Sequence, residues 1–401
     1  MDRAATGIDN DERRDIVGTV TSAAIAVVGA GPAGLTAAIA LAAGGHAVVL
    51  IAPRATPVDW RTSALLAGSV ALLERLGVWQ QLKPLASPLR RMRIVDGTRR
   101  LIRAPEVTFS CDEVELDAFG YNISNRDLVA GLEGLVTERG IPRIDALATE
   151  AHADGDAMML ALSDGSRFRA QLVVAADGRR STLREAAGIT VKAWTYDQAA
   201  LVVNLRHTLP HNDTSTEFHT EHGPFTLVPL GAGRSSLVWV GRPADHHQRM
   251  ALSDEALAAA IEEGSRSILG AVAIDSPRQI FPLSGMTADR FAANRVALVG
   301  DAGHVVPPIG AQGLNLGLRD VATLADTIAG AADPGSTALL ERYDQGRRFD
   351  VVSRALAIDA LNRTVLTSFL PAQVARGLGL FLLDRVGPLR RAAMRQGLGA
   401  L

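Results

Sequence analysis

Residues 23–52 read AAIAVVGAGPAGLTAAIALAAGGHAVVLIA. Ala23 to Gly29 is a short apolar run of strand character. Pro32 to Ala43 is an Ala- and Leu-rich run of helical character, and His46 to Ala52 is strand-like again. Strand, glycine turn, helix and strand in that order predict a parallel sheet in an α/β fold. Gly29, Gly31 and Gly34 form a G-x-G-x-x-G turn, with Ala33 just before the last glycine. The first glycine makes the tight turn, the second lets a phosphate approach the backbone, and the third lets helix and strand pack closely. The helix-start amides and dipole then favour an anionic pyrophosphate. Set between strand and helix, the pattern predicts dinucleotide binding.

One usual feature is absent. About 20 residues beyond such glycines an acid commonly holds the ribose hydroxyls, but here Ala52 and Pro53 occupy that place. A backbone group or a polar residue such as Arg54 has to serve. A second glycine cluster, GAGRSS at 231–236, is flanked by alternating apolar residues and reads as a hairpin turn.

A dinucleotide is longer than one loop can hold. Residues 300–320, GDAGHVVPPIGAQGLNLGLRD, follow the apolar run RVALV and supply a second strand–loop–helix junction. Asp301, at a strand end, can accept hydrogen bonds from sugar-like hydroxyls. The irregular loop with Pro308, Gly310 and Gln312 permits close backbone approach. It opens a helix whose first amides, at Gly313, Leu314 and Asn315, can stabilise negative charge on a reduced ring. Two such junctions fit one FAD.

The remaining sequence bounds the alternatives. The chain has 401 residues, 47% hydrophobic, enough for two domains with sizeable cores. A formal net charge of −2 gives no global attraction to nucleic acid. Cys111 is the single cysteine, which excludes a disulfide framework and fits a reducing compartment. His246 and His247 are read as solvent-facing, without metal-ligand spacing, and no metal is expected. No apolar run is long enough to span a bilayer. The first 22 residues mix both charge signs and read as a flexible leader. A cytoplasmic protein is expected, with a peripheral place on the inner membrane as the alternative.

Along the chain, residues 69–79 have helical spacing, and RRMRIVDGTRRLI (90–102) reads as a hairpin around Asp-Gly. A helix follows at 126–140, then a hairpin and a buried strand ending in AADG. Residues 197–240 alternate like strands, 253–268 is helical, and long helices close the chain. The predicted organisation is a discontinuous FAD-binding domain (23–86, 122–190 and 285–345), interleaved with a β-sheet substrate domain (87–121 and 191–284). Residues 346–401 form a C-terminal helical region.

GAGPAGLTAA, DWRTSALLAGSVALLERLGVW, GYNISNRDLVAGL, VVAADGRRSTLREAAGI and FPLSGMTADRFAANRVALVGDAGHVVPPIGAQGLNLGLRDV occur in this order from Gly29 onward, within a likeness that spans nearly all of residues 23–401. In them the chain resembles the FAD-dependent aromatic hydroxylases of the p-hydroxybenzoate hydroxylase class, and most closely the UbiH/UbiF-type ubiquinone-biosynthesis hydroxylases. The resemblance implies the following roles. Asp301 binds the flavin ribityl chain, and Pro308 and Gly310 lie beside the ring. The backbone of Gly313, Leu314 and Asn315 faces its N1–C2=O edge. Arg61 faces the pyrophosphate or a moving flavin, Arg126 the ribityl and phosphate, and Asp177 with Gly178 the FAD. Each also has a plainer reading: Asp301 as a turn cap, Arg61 as a surface ion pair, Asp177-Gly178 as a strand-ending turn. Arg126 opens a helix, where a positive charge opposes the dipole and favours an anionic partner. His304 is read as a structural hydrogen-bonding residue. Gly303 stands where relatives commonly carry alanine.

The implied reaction is hydroxylation of a phenolic ring. NADH or NADPH reduces FAD transiently, O2 adds to give a flavin C4a-hydroperoxide, and oxygen passes to the ring. No catalytic base can be named, and the absence of a second nucleotide fingerprint suits transient docking of the nicotinamide. The resemblance points to a hydrophobic, prenylated phenol in ubiquinone biosynthesis. The alternatives are a small soluble aromatic substrate, or a non-catalytic FAD- or lipid-binding subunit. The tail, FLPAQVARGLGLFLLDRVGPLRRAAMRQGLGAL, mixes apolar residues with arginines, so it suits a membrane surface, a partner protein of a biosynthetic complex, or packing on the FAD domain.

Overall fold

The structure, a computed structural model, describes residues 20–54, 59–98, 105–366 and 385–398. Its first sheet is built on five parallel strands. β1 (Val20–Val28) lies between β2 (Val48–Ile51) and β6 (Arg167–Ala175), with β5 (Arg143–Ile144) outside β2 and β10 (Val296–Leu298) outside β6. Ile25 and Val27 of β1 point to one face and Ala26 and Val28 to the other, and all four are buried. Burial on both faces explains why these strands read as continuous apolar runs. One face carries α1 (Pro32–Ala43), α3 (Asn125–Glu138) and α4 (Gln312–Ile328) over a core that includes Leu35, Ile39, Leu132, Leu172 and Leu318. The other is covered by the hairpin of strands Ala148–Asp154 and Ala157–Leu162.

The register sets the site. Val28 is level with both Ile51 and Ala175, and Ala175 with Leu298. Four parallel strands therefore end at one edge, where α/β sheets bind ligands.

The second sheet has nine strands, centred on β7 (Val191–His207) between β8 (Arg234–Gly241) and β9 (Gln279–Ala288). Leu201, Val203, Leu205, Leu227 and Leu237 on one face pack under the helix Asp254–Gly264. Ala200, Val202, Val240 and Leu283, with Tyr196, Val238 and Phe281, form the opposite apolar face. A short strand, His304–Val305, pairs with β9, so the loop after β10 belongs to this sheet as well. A separate three-stranded sheet contains β3 (Thr62–Leu66) and β4 (Gly120–Ser124).

Some local expectations are corrected. The first strand begins at Val20, where it pairs with Arg167, so residues 20–22 belong to the sheet and not to a leader. The helix expected over 69–79 is α2 (Ala67–Arg75) followed by a separate turn, Trp79–Leu82. Gly77, at φ +83, ends α2 by turning left-handed. The Asp-Gly at 96–97 is not a tight hairpin. Asp96 accepts from the amide and hydroxyl of Thr98, and the chain rejoins the strand only at Val107. GAGRSS does join two antiparallel strands, Gly223–Pro229 and β8.

The long helix α5 spans Thr337–Leu366. Most of the quoted tail, 369–384, lies outside the described residues. Its end forms α6 (Gly387–Leu398), which packs Met394 beside Leu66, Cys111, Val114 and Phe119. Arg390 of α6 pairs with Glu113 at 2.5 Å. No helix among the described residues is long and apolar enough to cross a membrane.

Candidate active site

The first junction is tight because two of its glycines have no room for a side chain. A Cβ on Gly29 (φ +110) would sit 2.2 Å from the Ala176 carbonyl oxygen, and one on Gly34 would sit 2.0 Å from that of Gly29. Gly31 differs: a Cβ there would meet nothing within 4 Å, so it faces open space at the start of α1. Pro32 occupies the first helical position, where its missing N–H costs nothing.

Small residues bring the second junction alongside. Gly300 (φ +60) leaves only 3.2 Å between an added Cβ and the Cβ of Ala33. A Cβ on Gly317 of α4 would lie 3.0 Å from Gly300 Cα and 3.5 Å from Ala33 Cβ. Ala33, Gly300 and Gly317 therefore interlock α1, the loop after β10, and α4.

Asp301 opens onto the cleft at this point and makes no hydrogen bond among the described residues. Its carboxyl is open to solvent yet recessed among protein atoms. This desolvation raises its pKa, opposed by His304, Arg61 and Arg179. Behind it lies a buried network. His304 Nε2 is 2.7 Å from Asp320 Oδ2, with both side chains 0% exposed. Asp320 also accepts from the Gly300 amide (2.9 Å) and from Arg347 Nε (2.7 Å). Burial acts to raise the Asp320 pKa, but His304 and Arg347 outweigh it and the net shift is downward. His304 is thus a structural partner that holds the loop to α4.

Gly310 and Ala311 are both left-handed (φ +65 and +54), and α4 starts at once with Gln312. This aims the helix start, with Gly313, Leu314 and Asn315, along the loop. Gln312 donates to the Gly310 carbonyl at 3.0 Å. The Asn315 side chain accepts from the Leu66 amide (2.8 Å) and the Ser69 hydroxyl (2.6 Å). It donates to the carbonyls of Ala64 (2.8 Å) and Ala311 (2.5 Å). The sequence reading gave Asn315 only a backbone role and missed Ser69. The adjacent small residues of SALLAGS were the available signal.

Arg61 grips Asp59 with Nε and a terminal nitrogen (2.9 and 2.8 Å), and Asn125 holds the same carboxylate at 2.8 Å. Asp59 raises the pKa of Arg61 against the effect of burial. The guanidinium carbon is 5.0 Å from the Phe281 ring centroid, so Arg61 joins the cofactor edge to the apolar face of the second sheet. Arg126 is exposed and, among the described residues, pairs only with its neighbour Asp127, at 3.3 Å. Ser181 caps the short helix Thr182–Ala186, Asp177 accepts from its Leu183 amide at 3.4 Å, and Gly178 (φ +84) turns the chain there. The Asp177 Oδ1 is buried without a hydrogen-bond partner among the described residues, and desolvation raises its pKa. Arg184, which the sequence reading missed, is buried and donates to the carbonyls of Arg179 (3.1 Å) and Ala302 (2.9 Å). It binds the AADG loop to the loop of Asp301.

His247 is exposed, but His246 is a correction: it is fully buried beside Trp239. Arg249 covers Trp239 at 3.9 Å and lies 3.1 Å from His246 Nδ1. Desolvation, with Arg249, lowers the His246 pKa to about 4, and the ring stays neutral. At the end of β2, Arg143 donates to the carbonyls of Ala52 (3.1 Å) and Pro53 (2.7 Å), and the Arg54 amide donates to Asp145 at 2.9 Å.

Two helix starts on one edge, an open glycine cradle and an Asp301 without a hydrogen bond among the described residues fit FAD. The cradle suits its pyrophosphate, Asp301 its hydroxyls, and the start of α4 its anionic ring edge.

Residues 22–357 match the FAD binding domain family. The chain is 37% identical over 392 residues to the ubiquinone hydroxylase UbiL of Rhodospirillum rubrum, covering 94% of this chain and 90% of that one. It is 33% identical over 390 residues to the 3-demethoxyubiquinol 3-hydroxylase of Escherichia coli, covering 94% and 98%. The crystal structure of p-nitrophenol 4-monooxygenase PnpA from Pseudomonas putida superposes with a TM-score of 0.78 at 21% identity, covering 94% and 98%, a likeness of fold.

Proposed function

Because the chain belongs to the FAD binding domain family, among the UbiH/UbiF-type ubiquinone-biosynthesis hydroxylases, we propose that it hydroxylates a hydrophobic, prenylated phenol with NAD(P)H and O2. FAD is its cofactor and, when bound, supplies reduction by the nicotinamide and activation of oxygen. Gly29, Gly31, Ala33, Gly34 and the first amides of α1 hold the pyrophosphate. Asp301 accepts from the ribityl hydroxyls. The amides of Gly313, Leu314 and Asn315 stabilise negative charge at the ring edge, with Pro308 and Gly310 beside the ring and Gln312 bracing the loop. Arg61 and Arg126 offset phosphate charge, and Asp177 with Gly178 lines the cofactor.

The observation that carries the substrate reading is the apolar face of the second sheet. Ala200, Val202, Val238, Val240, Phe281 and Leu283 form an uncharged, mostly buried cluster, with Phe281 bordering Arg61. Such a wall favours an uncharged phenol and keeps bulk water from the oxygen chemistry. The α6 end and the preceding tail suit peripheral contact with the inner membrane, from which a prenylated substrate would come.

Purified enzyme should oxidise NAD(P)H faster with a prenylated phenol than with small soluble phenols, and should place 18O from labelled O2 on the ring. Faster, fully coupled turnover of a soluble phenol would overturn the substrate assignment. Deleting the gene should cause a quinone precursor that lacks one hydroxyl to accumulate. Liposome flotation should carry full-length protein to the lipid fraction, and protein left wholly in the aqueous fraction would refute the membrane contact.

A further inference from the structure

The acid that commonly ends the second strand and holds the adenosine ribose is missing here, and the geometry around Ala52 and Pro53 shows what stands in its place. β5 runs parallel to β2, with Ile51 level with Ile144, so both strands finish at the cofactor edge. The Ala52 amide donates to the Ile144 carbonyl at 3.1 Å, which keeps the two tips side by side. Neighbouring strands are about 4.8 Å apart, a gap that one aspartate can cross. Asp145, the next residue after β5, crosses it: one carboxylate oxygen accepts from the Arg54 amide at 2.9 Å. Its other oxygen has no hydrogen-bond partner among the described residues, and the side chain is exposed.

The carbonyls just beyond β2 are engaged by the same neighbouring segment. Arg143 donates to those of Ala52 (3.1 Å) and Pro53 (2.7 Å). Its third nitrogen is held by both oxygens of Glu133 at 2.7 Å, and its side chain is only 7% exposed. This ion pair, buried on the Arg143 side, fixes the tip of β2 and engages the backbone carbonyls that stand where the missing acid would be.

We propose that Asp145 is the ribose-binding acid of this protein, its carboxylate accepting from the adenosine hydroxyls of FAD from one strand further out than usual. The assignment rests on the FAD reading of the glycine cradle. A charged acceptor makes a stronger hydrogen bond to a hydroxyl than a neutral one.

The test uses apoprotein, with ADP and 2′-deoxy-ADP displacing FAD, whose fluorescence is read. The parent should prefer ADP by about tenfold, in line with one hydrogen bond to a charged group. Asp145→Asn and Asp145→Ala should bring that preference close to one, and Asp145→Asn should leave the melting temperature of the apoprotein unchanged. Asparagine can still accept from the Arg54 amide, so it preserves the local turn. Variants that keep the parent's preference overturn the assignment of Asp145. So does loss of discrimination between ADP and IDP with the 2′-hydroxyl preference intact, which would put the aspartate on the base. A parent that binds no ADP at all overturns the dinucleotide reading together with this one.

Discussion

Asn315 is nearly sealed from solvent at 3% exposure, and its side chain makes four hydrogen bonds, three that join α4 to β3 and α2 and one to Ala311 at the start of α4. Asn315→Ala leaves the Leu66 amide and Ser69 hydroxyl without an acceptor and the Ala64 and Ala311 carbonyls without that donor. A loss on the order of 3 kcal/mol in denaturant unfolding is expected, with weaker FAD retention, because the helix start is no longer held in place. Asp301 behaves in the opposite sense. Its pKa is raised in the folded protein, so ionising it there opposes folding. The penalty begins as pH rises past the unfolded value near 3.9 and is complete above the raised folded value. Asp301→Asn should therefore stabilise the apoprotein relative to the parent, increasingly so above pH 4, while weakening FAD binding. Unfolding curves across pH decide it, and a stability difference that shrinks as pH rises would refute the account. Asp301 was legible because it ends an apolar run within a glycine-rich loop. Arg184 and His246 were not, since an arginine or histidine on a short polar helix reads as solvated, and only the packing buries it.

At the scale of elements, contact between α1, β1 and α4 depends on glycine. Gly34→Ala would place a methyl 2.0 Å from the Gly29 carbonyl oxygen, so the helix must move off the strand. A loss of about 3 kcal/mol or more is expected, together with colourless purified protein. Yellow, stable Gly34→Ala protein would show that the turn tolerates a side chain. The α1 boundaries, Pro32 to Ala43, were readable because proline and glycine punctuate both ends. The end of α2 was misread because apolar spacing continues through Gly77, while the backbone there turns left-handed. The second sheet was readable as strands but not as faces. Both faces of its central strands are apolar, so alternation could not tell Val202 from Val203.

On the scale of the whole molecule, the chain crosses repeatedly between its two large sheets. Residues 91–96 and 107–110 lie in the second sheet, while 143–175 return to the first. Changes of texture along the sequence made this interleaving visible, but not the sharing of one loop. His304–Val305 pairs with β9 only a few residues after Leu298 has paired within the first sheet. The apoprotein should therefore unfold in calorimetry as one transition, with equal calorimetric and van't Hoff enthalpies. Two resolved peaks would mean that the sheets are energetically independent. The shared loop also limits how the gene can be divided. A fragment ending near residue 190 would keep the glycine cradle yet lose the strand and helix that complete it, and a fragment starting there would inherit a wall with nothing to enclose. Neither half is a portable module, and a cut at an internal seam dismantles the site.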